Sequence, residues 1–518
     1  MQLDYTRKLT EHERHSTVQM KRFVLALDQG TTKTKAVLFD RNGSVCGFGV
    51  SPVPRCFPHP GWVEQDPEAI WRSVISATKK AMRDASCSPK QIAAVGIDDQ
   101  GETVVVWNKR SGRHIYNAIV WQCRRTSNAC ERLKKEGLEP EIRKRTGLLI
   151  DPYFSATKIR WILDNIKGAE RLAGRGEVLF GTTDTWLAWK MSRGKYFVTD
   201  CATASRTMLF NIHKMEWDSE LLRIFSLPNG ILAEVHSNSG DIAHTDPGAF
   251  LGIDAPISGM IVDQQSALFG HGCFYEGQSK NTYGTGCFML MNTGQTPRFS
   301  KNGLLTTVAW VIDGKRSYAL DGGVYVAGSA IDWLVRGLEI IKKPDDTSRL
   351  ANSLPNNEGV FMVPAFVGLA APYWDSYARG TIIGITDRTT RAHIVRATLE
   401  SIAFQVNEIL ACMEADSQLK VDRLRVDGGP TSNSFLMQFQ ADISGIPVEV
   451  PRVSEVTAQG VAFLAGLAVD FWSDFTDLTR LNRPHVYNPQ MQKTERARLV
   501  EDWTRAVGRS RNWVRKSA

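Results

Sequence analysis

The stretch from Phe23 to Asp40, FVLALDQGTTKTKAVLFD, sets two apolar runs on either side of a Gly-Thr-Thr turn, and so predicts a β-hairpin with an acid at its tip. A second stretch of the same design, KNTYGTGCFMLMNTG, begins at Lys280. The recurrence points to two lobes of related build, each opening with a strand, a Gly/Thr turn and a strand. Residues 93–97 and 103–107 read as strands, 130–144 as a helical stretch, 156–166 as a helix and 200–209 as a polar loop. Residues 391–415 form the clearest long helix, and the strand at 424–426 runs into Asp427-Gly428-Gly429. Repeated strand-turn-helix punctuation places the chain among α/β proteins. The expected organisation is a polar extension over 1–21, an N-terminal lobe over 22–271, a C-terminal lobe over 272–490 and a basic helix or tail over 491–518.

Composition removes several classes of function. With 42% hydrophobic and 23% charged residues in 518, global disorder is excluded. The net charge is +8, but from Lys493 onward eight Lys and Arg face only three Asp and Glu. The excess therefore belongs largely to a terminal segment that reads as a solvated helix, and a nucleic-acid partner is not expected. Nine scattered cysteines without a CxxC pair predict reduced thiols and a cytoplasmic setting. No signal-like segment opens the chain and no run of about 18 apolar residues occurs, so no membrane span is expected.

The chain carries neither GxxxxGK[ST] nor GxGxxG. Phosphate can be held by another design, in which the backbone N–H groups of Gly30, Thr31 and Thr32 converge on its oxygens and the hydroxyls add further bonds. Asp28 is then placed for a hydrated Mg²⁺ and Lys33 adds positive charge. An acid and two amides, Asp263, Gln264 and Gln265, follow the apolar run Met260 to Val262 at a strand end, where ligand groups gather in α/β folds. Thr285 and Gly286 offer backbone to phosphate at the second hairpin, and Gly428 and Gly429, followed by Asn433, let a flat base lie close to main chain.

These residues fall within longer stretches, including LDQGTT at Leu27, GWVEQDPEAIW at Gly61, YNAIVWQCRRT at Tyr116, ASRTMLFNI at Ala204 and DQQSALFG at Asp263. In these the chain resembles the FGGY carbohydrate kinases over nearly its whole length. The resemblance implies a two-lobe, actin-like (ribonuclease H-like) α/β fold, with ATP, Mg²⁺ and a small polyol meeting in the interlobe cleft, and a homodimer or homotetramer. It implies Asp263 as catalytic base and Glu102, Trp121, Tyr153, Gln264 and Phe288 as the polyol pocket. Asp28 and Asp263 would lie at the metal. Thr31, Thr32, Lys33, Lys35, Thr285, Gly286, Gly328, Asp332, Gly429 and Asn433 would form the nucleotide site.

Departures from the family pattern bear on the substrate. Members that phosphorylate glycerol carry Asn-Gln-Arg-Glu where this chain reads Asp99-Gln100-Gly101-Glu102. The absent arginine removes a charged donor, a loss of about 1.5–3 kcal/mol, and is expected to open space at Gly101. Two substrate readings follow, glycerol converted to glycerol 3-phosphate with weakened binding, or a longer polyol such as a tetritol. A non-catalytic nucleotide- or polyol-binding regulator is the contrasting class. Lys35 stands for a usual arginine, and Asp332, replacing a glutamine, is expected to face ribose or solvent.

Overall fold

A computed structural model describes residues 21–475, 477, 478 and 484–515. Apart from Lys21, the extension expected at the N-terminus lies outside them. The chain divides into two compact units. The first takes in residues up to Ser266 with Trp310–Lys315 and Thr457–Leu481, and the second takes in Ala267–Ala309, Arg316–Val456 and residues from Asn482 onward.

The first unit is built on a six-stranded sheet. Its strands are β1 (Phe23–Gln29), β2 (Lys33–Phe39), β3 (Val45–Pro52), β4 (Ile92–Asp99), β5 (Ser239–His244) and β6 (Pro256–Val262), in the order β5-β6-β4-β1-β2-β3. β1 and β2 form the predicted hairpin, with Asp28 opposite Lys35. β4 runs parallel to both β1 and β6, in a register that sets Asp28 beside Asp98 and Val262 beside Asp99. The carboxyl ends of β1, β4 and β6 therefore lie side by side. Helix α1 (Pro67–Asp84) starts at Asp66, whose side chain accepts from the Glu68 N–H, and buries Ile70, Val74, Ala77 and Ala81. Each of the larger aliphatics among them contributes about 1.5–3 kcal/mol on burial. The helix Val456–Leu467 rests directly on β4 and β6. A Cβ at Gly96 would stand 2.6 Å from the Val461 carbonyl oxygen, and one at Gly259 would stand 2.6 Å from the Ala465 nitrogen. Only glycine admits the helix at that distance.

The second unit repeats the design. β7 (Ser279–Tyr283) and β8 (Cys287–Gly294) form its hairpin, and β9 (Leu305–Ile312), β10 (Lys315–Val324), β11 (Leu424–Asp427), β12 (Val448–Val450) and β13 (His485–Tyr487) complete the order β9-β10-β8-β7-β11-β12-β13. As in the first sheet, the opening strand pairs antiparallel with its hairpin partner and parallel with a later strand, here β11. Helices α3 (Gly328–Arg336), α4 (Arg391–Ser417), α5 (Ser434–Ser444) and α6 (Lys493–Ser510) belong to this unit. α6 is the basic terminal segment. Leu499, Trp503 and Val507 are buried, with Trp503 stacked on Phe404 at 5.0 Å, while Arg498, Arg505 and Arg509 are exposed. Solvated charge and core packing thus share one helix.

Two local expectations change. The helical stretch at 130–144 is two helices, Ser127–Lys135 and Glu139–Thr146, separated by Gly137 at φ +76°. The polar loop at 200–209 is instead a buried segment. Asp200 ends a short strand and caps the helix Cys201–Ala204, its Oδ1 accepting from the Thr203 N–H at 2.9 Å and from Asn238 Nδ2 at 2.7 Å. The small polar residues satisfy one another inside the unit, where sequence pattern alone suggests surface.

Burial, reinforced by the charge of Asp184, pushes the Asp200 carboxyl up to about 7. A raised pKa means that the folded state prefers the protonated acid. Its stabilising contribution is complete below about pH 4, the unfolded value, and is lost as pH rises through about 7. Asp200→Asn keeps an acceptor for both donors and carries no charge. Its unfolding midpoint is expected to fall less than the parent's between pH 5 and pH 8, a comparison made by thermal melts across that window.

Candidate functional site

The first unit gathers most of the candidate residues at the ends of β1, β4 and β6. Asp28 on β1 pairs with Lys35 across the hairpin, Oδ2 to Nζ at 3.1 Å. In the turn between them Gly30 N–H donates to the Lys33 carbonyl at 3.1 Å, and Thr32 and Lys33 are exposed. Thr31 is half-buried because its neighbours use it. Trp121 Nε1 donates to its hydroxyl at 2.9 Å and Gln65 Nε2 to its carbonyl at 2.7 Å. Gln65 in turn accepts from Gln100 Nε2 at 2.9 Å, which also reaches Gln29 Oε1 at 3.2 Å. This layer of buried amides fixes the hairpin tip from beneath.

Trp121 meets Tyr153 edge to face, with centroids 5.5 Å apart. Glu102 follows Gly101 in a tight turn where both residues take positive φ, +29° and +50°. The Glu102 carboxylate accepts from Arg206 Nε at 2.7 Å, each side chain only 4% exposed. The Arg206 guanidinium also lies 5.7 Å from the Tyr153 ring centroid. Beneath both candidates sits Lys158, fully buried, whose Nζ donates to the Glu102 carbonyl at 3.0 Å and the Tyr153 carbonyl at 2.5 Å. Burial lowers this lysine to about 8, against the opposing charge of Glu102. Asp263 and Gln264, both half-buried, open helix α2 (Asp263–Gly270), which continues directly from β6. An acid in the first turn suits the positive end of the helix.

Asp98 and Asp99 lie between these elements. Both are fully buried. Burial pushes Asp98 well up, helped by the charges of Asp28 and Asp263, and neither of its oxygens has a hydrogen-bond partner. Asp99 is pushed well up by burial and by Asp184 and Asp200, while its Oδ2 accepts from Thr183 Oγ1 at 2.9 Å. A protonated Asp99 is as neutral as the asparagine it replaces. The expected space at Gly101, by contrast, is filled. A Cβ there would stand 2.6 Å from Val262 Cγ2. The loss of the arginine is accompanied by a neighbour that occupies the exit of any side chain.

In the second unit the hairpin turn is tied to the start of α3. Gly328 N–H donates to the Gly284 carbonyl at 3.0 Å, and the Ala327 and Ser329 N–H groups donate to the Thr285 carbonyl at 2.9 and 3.1 Å. A Cβ at Gly286 would lie 2.2 Å from the Val324 oxygen, and one at Gly428, at φ +96°, 2.0 Å from the Tyr283 oxygen. These approaches bring Thr285, Gly286, Gly328 and the Gly428-Gly429 turn together. Asn433 caps α5, accepting from the Leu436 N–H at 3.0 Å, and its Nδ2 donates to Thr347 Oγ1 at 2.9 Å. Asp332 is exposed on α3, and Phe288 is half-buried on β8. Asp427, just before the glycines, is buried and accepts from His271 Nε2 at 2.6 Å and Thr282 Oγ1 at 3.1 Å. Burial opposes its charge, but these bonds and the charges of His271 and Lys280 hold it below the usual carboxylate range.

Arg206, Lys158, Gln65 and Asp427 are the residues that motif reading did not assign to the site. All four lie inside stretches that carry the family resemblance, Gln65 in GWVEQDPEAIW, Lys158 in DPYFSATKIRWILDN, Arg206 in ASRTMLFNI and Asp427 in the DGG turn, but nothing local marks them as site residues. All nine cysteines are unpaired, and among the described residues no helix is long and apolar enough to cross a membrane.

Residues 23–270 match the N-terminal domain and residues 279–469 the C-terminal domain of the FGGY family of carbohydrate kinases. The chain belongs to this family. Among its FGGY relatives, glycerol kinase 2 of Thermotoga maritima is 53% identical over 496 residues, covering 96% of this chain and all of the relative. The glycerol kinase of a Geobacillus species is 52% identical, covering 94% and 99%. The crystal structure of Plasmodium falciparum glycerol kinase with ADP superposes with a TM-score of 0.89 at 36% identity, covering 94% of this chain and 98% of the other. A xylulose kinase from Lactobacillus acidophilus shares the fold with a TM-score of 0.83 at 21% identity. The fold is thus the two-domain, actin-like α/β fold of FGGY kinases.

Proposed function

We propose that the chain transfers the γ-phosphoryl group of ATP to a terminal hydroxyl of glycerol, giving glycerol 3-phosphate. The observation that carries this reading is an identity above 50% to glycerol kinases over almost the full chain. A polyol hydroxyl is a poor nucleophile at neutral pH. Asp263 orients it and accepts its proton as the oxygen attacks the γ-phosphorus. Trp121, Tyr153 and Phe288 pack against the carbon skeleton, and Glu102 and Gln264 bind hydroxyls. Thr31 and Thr32 hold phosphate oxygens with Lys33 and Lys35 nearby, and Thr285, Gly286, Gly328, Gly429 and Asn433 receive the rest of the nucleotide. Asp332, being exposed, faces solvent or ribose.

The oxygen-only donor set of Asp28 and Asp263, beside the unpartnered carboxyl of Asp98, fits Mg²⁺. Asp28 and Asp263 would hold the ion, which when bound supplies charge neutralisation at the transferring phosphoryl group. The experiment is a kinetic screen of glycerol, erythritol, threitol, dihydroxyacetone and xylitol with Mg-ATP. Glycerol is expected to give the highest kcat/KM. Failure of every polyol at micromolar enzyme would reject the kinase reading in favour of a non-catalytic binding protein.

Lys158 ties Glu102 to Tyr153 through its two carbonyl bonds. Removing a charged donor costs about 1.5–3 kcal/mol, or roughly 10- to 100-fold in affinity. Lys158→Met is therefore expected to raise the glycerol KM by that order with little change in the ATP KM. In the parent the glycerol KM is expected to rise as pH passes about 8, where Lys158 loses its proton. Steady-state kinetics with each substrate varied in turn would check both.

A further inference from the structure

Gly101, in the turn that follows β4, and Val262, on β6, meet at one point. Val262 is the last residue of β6, beside Asp99 in the register and immediately before Asp263. It is 2% exposed. A Cβ at Gly101 would stand 2.6 Å from its Cγ2, well inside the 3.5–4.0 Å at which carbon atoms pack. A β-branched side chain is stiff about χ1, so Val262 cannot simply turn aside. Gly101 is also held at φ +29°, a conformation side chains disfavour.

We propose that Val262 is a specificity-determining residue of the polyol site, standing where a side chain at position 101 would leave the backbone and making that wall apolar and closed. The inference rests on the polyol-kinase reading above. It also changes the meaning of Gly101. Exchange of arginine for glycine alone would leave a vacancy able to admit a fourth carbon. With Val262 present, the wall provides neither a hydrogen-bond donor nor extra volume, and a three-carbon substrate is favoured over a tetritol. Contact with the substrate carbons falls to an aliphatic group, while charge near the hydroxyls is supplied by the Arg206–Glu102 pair.

The test compares kcat/KM for erythritol and glycerol in the full-length parent, Val262→Ala and Val262→Ile, with thermal melts of each. A methylene-sized change in an apolar pocket shifts discrimination by about 10-fold or more. Val262→Ala is expected to raise the erythritol-to-glycerol ratio by that order, and Val262→Ile to lower it. Gly101→Ala is expected to reduce glycerol kcat/KM, and adding Val262→Ala to restore part of the loss. A parent active on glycerol whose ratio stays unchanged in both Val262 variants overturns this inference alone. If Val262→Ala does not fold, the Val262→Ile ratio decides. A parent inactive on every polyol overturns the kinase reading and this inference with it.

Discussion

Asp263→Asn is expected to lower the rate of glycerol phosphorylation by about 10²- to 10⁴-fold, the range that a positioned general base contributes, with the ATP KM close to the parent's. Asparagine matches aspartate in size and can still accept a hydrogen bond from the hydroxyl, but it cannot take the proton. Asp263 lies at the start of α2, half-buried, at the end of β6, whose neighbour β4 carries Asp98 and in turn lies beside β1 with Asp28. Its charge adds to burial and to the charge of Asp28 in pushing the Asp98 carboxyl up. Removing that charge eases the crowding of acids, so a large loss of stability is not expected. The decisive pattern is a collapse of kcat with an unfolding midpoint within a few degrees of the parent. A rate within a few-fold of the parent would remove Asp263 from the role of base.

The second large effect concerns stability. Arg125 has no exposed side-chain surface, and its Nη2 donates to Glu64 Oε1 at 2.6 Å. The guanidinium lies 3.9 Å from the Trp62 ring centroid and 4.6 Å from that of Trp161. Glu64 also accepts from Tyr116 at 2.6 Å and Asn117 at 2.9 Å. Burial opposes the charge of Glu64, but these three donors hold it below the usual glutamate range. Arg125→Met leaves that carboxylate buried without its cation, which costs about 3–5 kcal/mol. The unfolding midpoint is expected to fall by about 10 °C. Glu64→Gln added to Arg125→Met should recover a large part of the loss, because the uncompensated charge is then gone. Equal midpoints for the single and double variants would show that packing against the tryptophans, and not the charge, is what Arg125 supplies. The pair also matters to the site, since Gln65, next in sequence, holds the Thr31 carbonyl.

What the sequence makes legible follows from how local each signal is. The two hairpins are readable because an apolar run, a Gly/Thr turn and a second run are contiguous, and the structure places both in the same position of matching sheets. The long helix at α4 and the strand before Asp427 are readable for the same reason. Arg206, Lys158 and Arg125 are harder to find. In sequence they look like surface charges, and their burial depends on carbonyls, carboxylates and rings contributed from distant segments. Asp200 is misread as part of a loop because its donors, Thr203 and Asn238, are found only in the folded unit. Position 101 shows the limit most clearly. The missing arginine is visible in a motif, but the methyl group that fills its exit belongs to an apolar strand residue that sequence alone assigns to the core.

The most direct test of the central claim follows the transferred group itself. Incubating the full-length protein with glycerol, Mg²⁺ and ATP labelled in the γ-phosphoryl group, and resolving the products, is expected to place the label on a terminal oxygen of glycerol with one ADP formed for each glycerol 3-phosphate. ADP release that is independent of polyol, or label recovered only as inorganic phosphate, would contradict it.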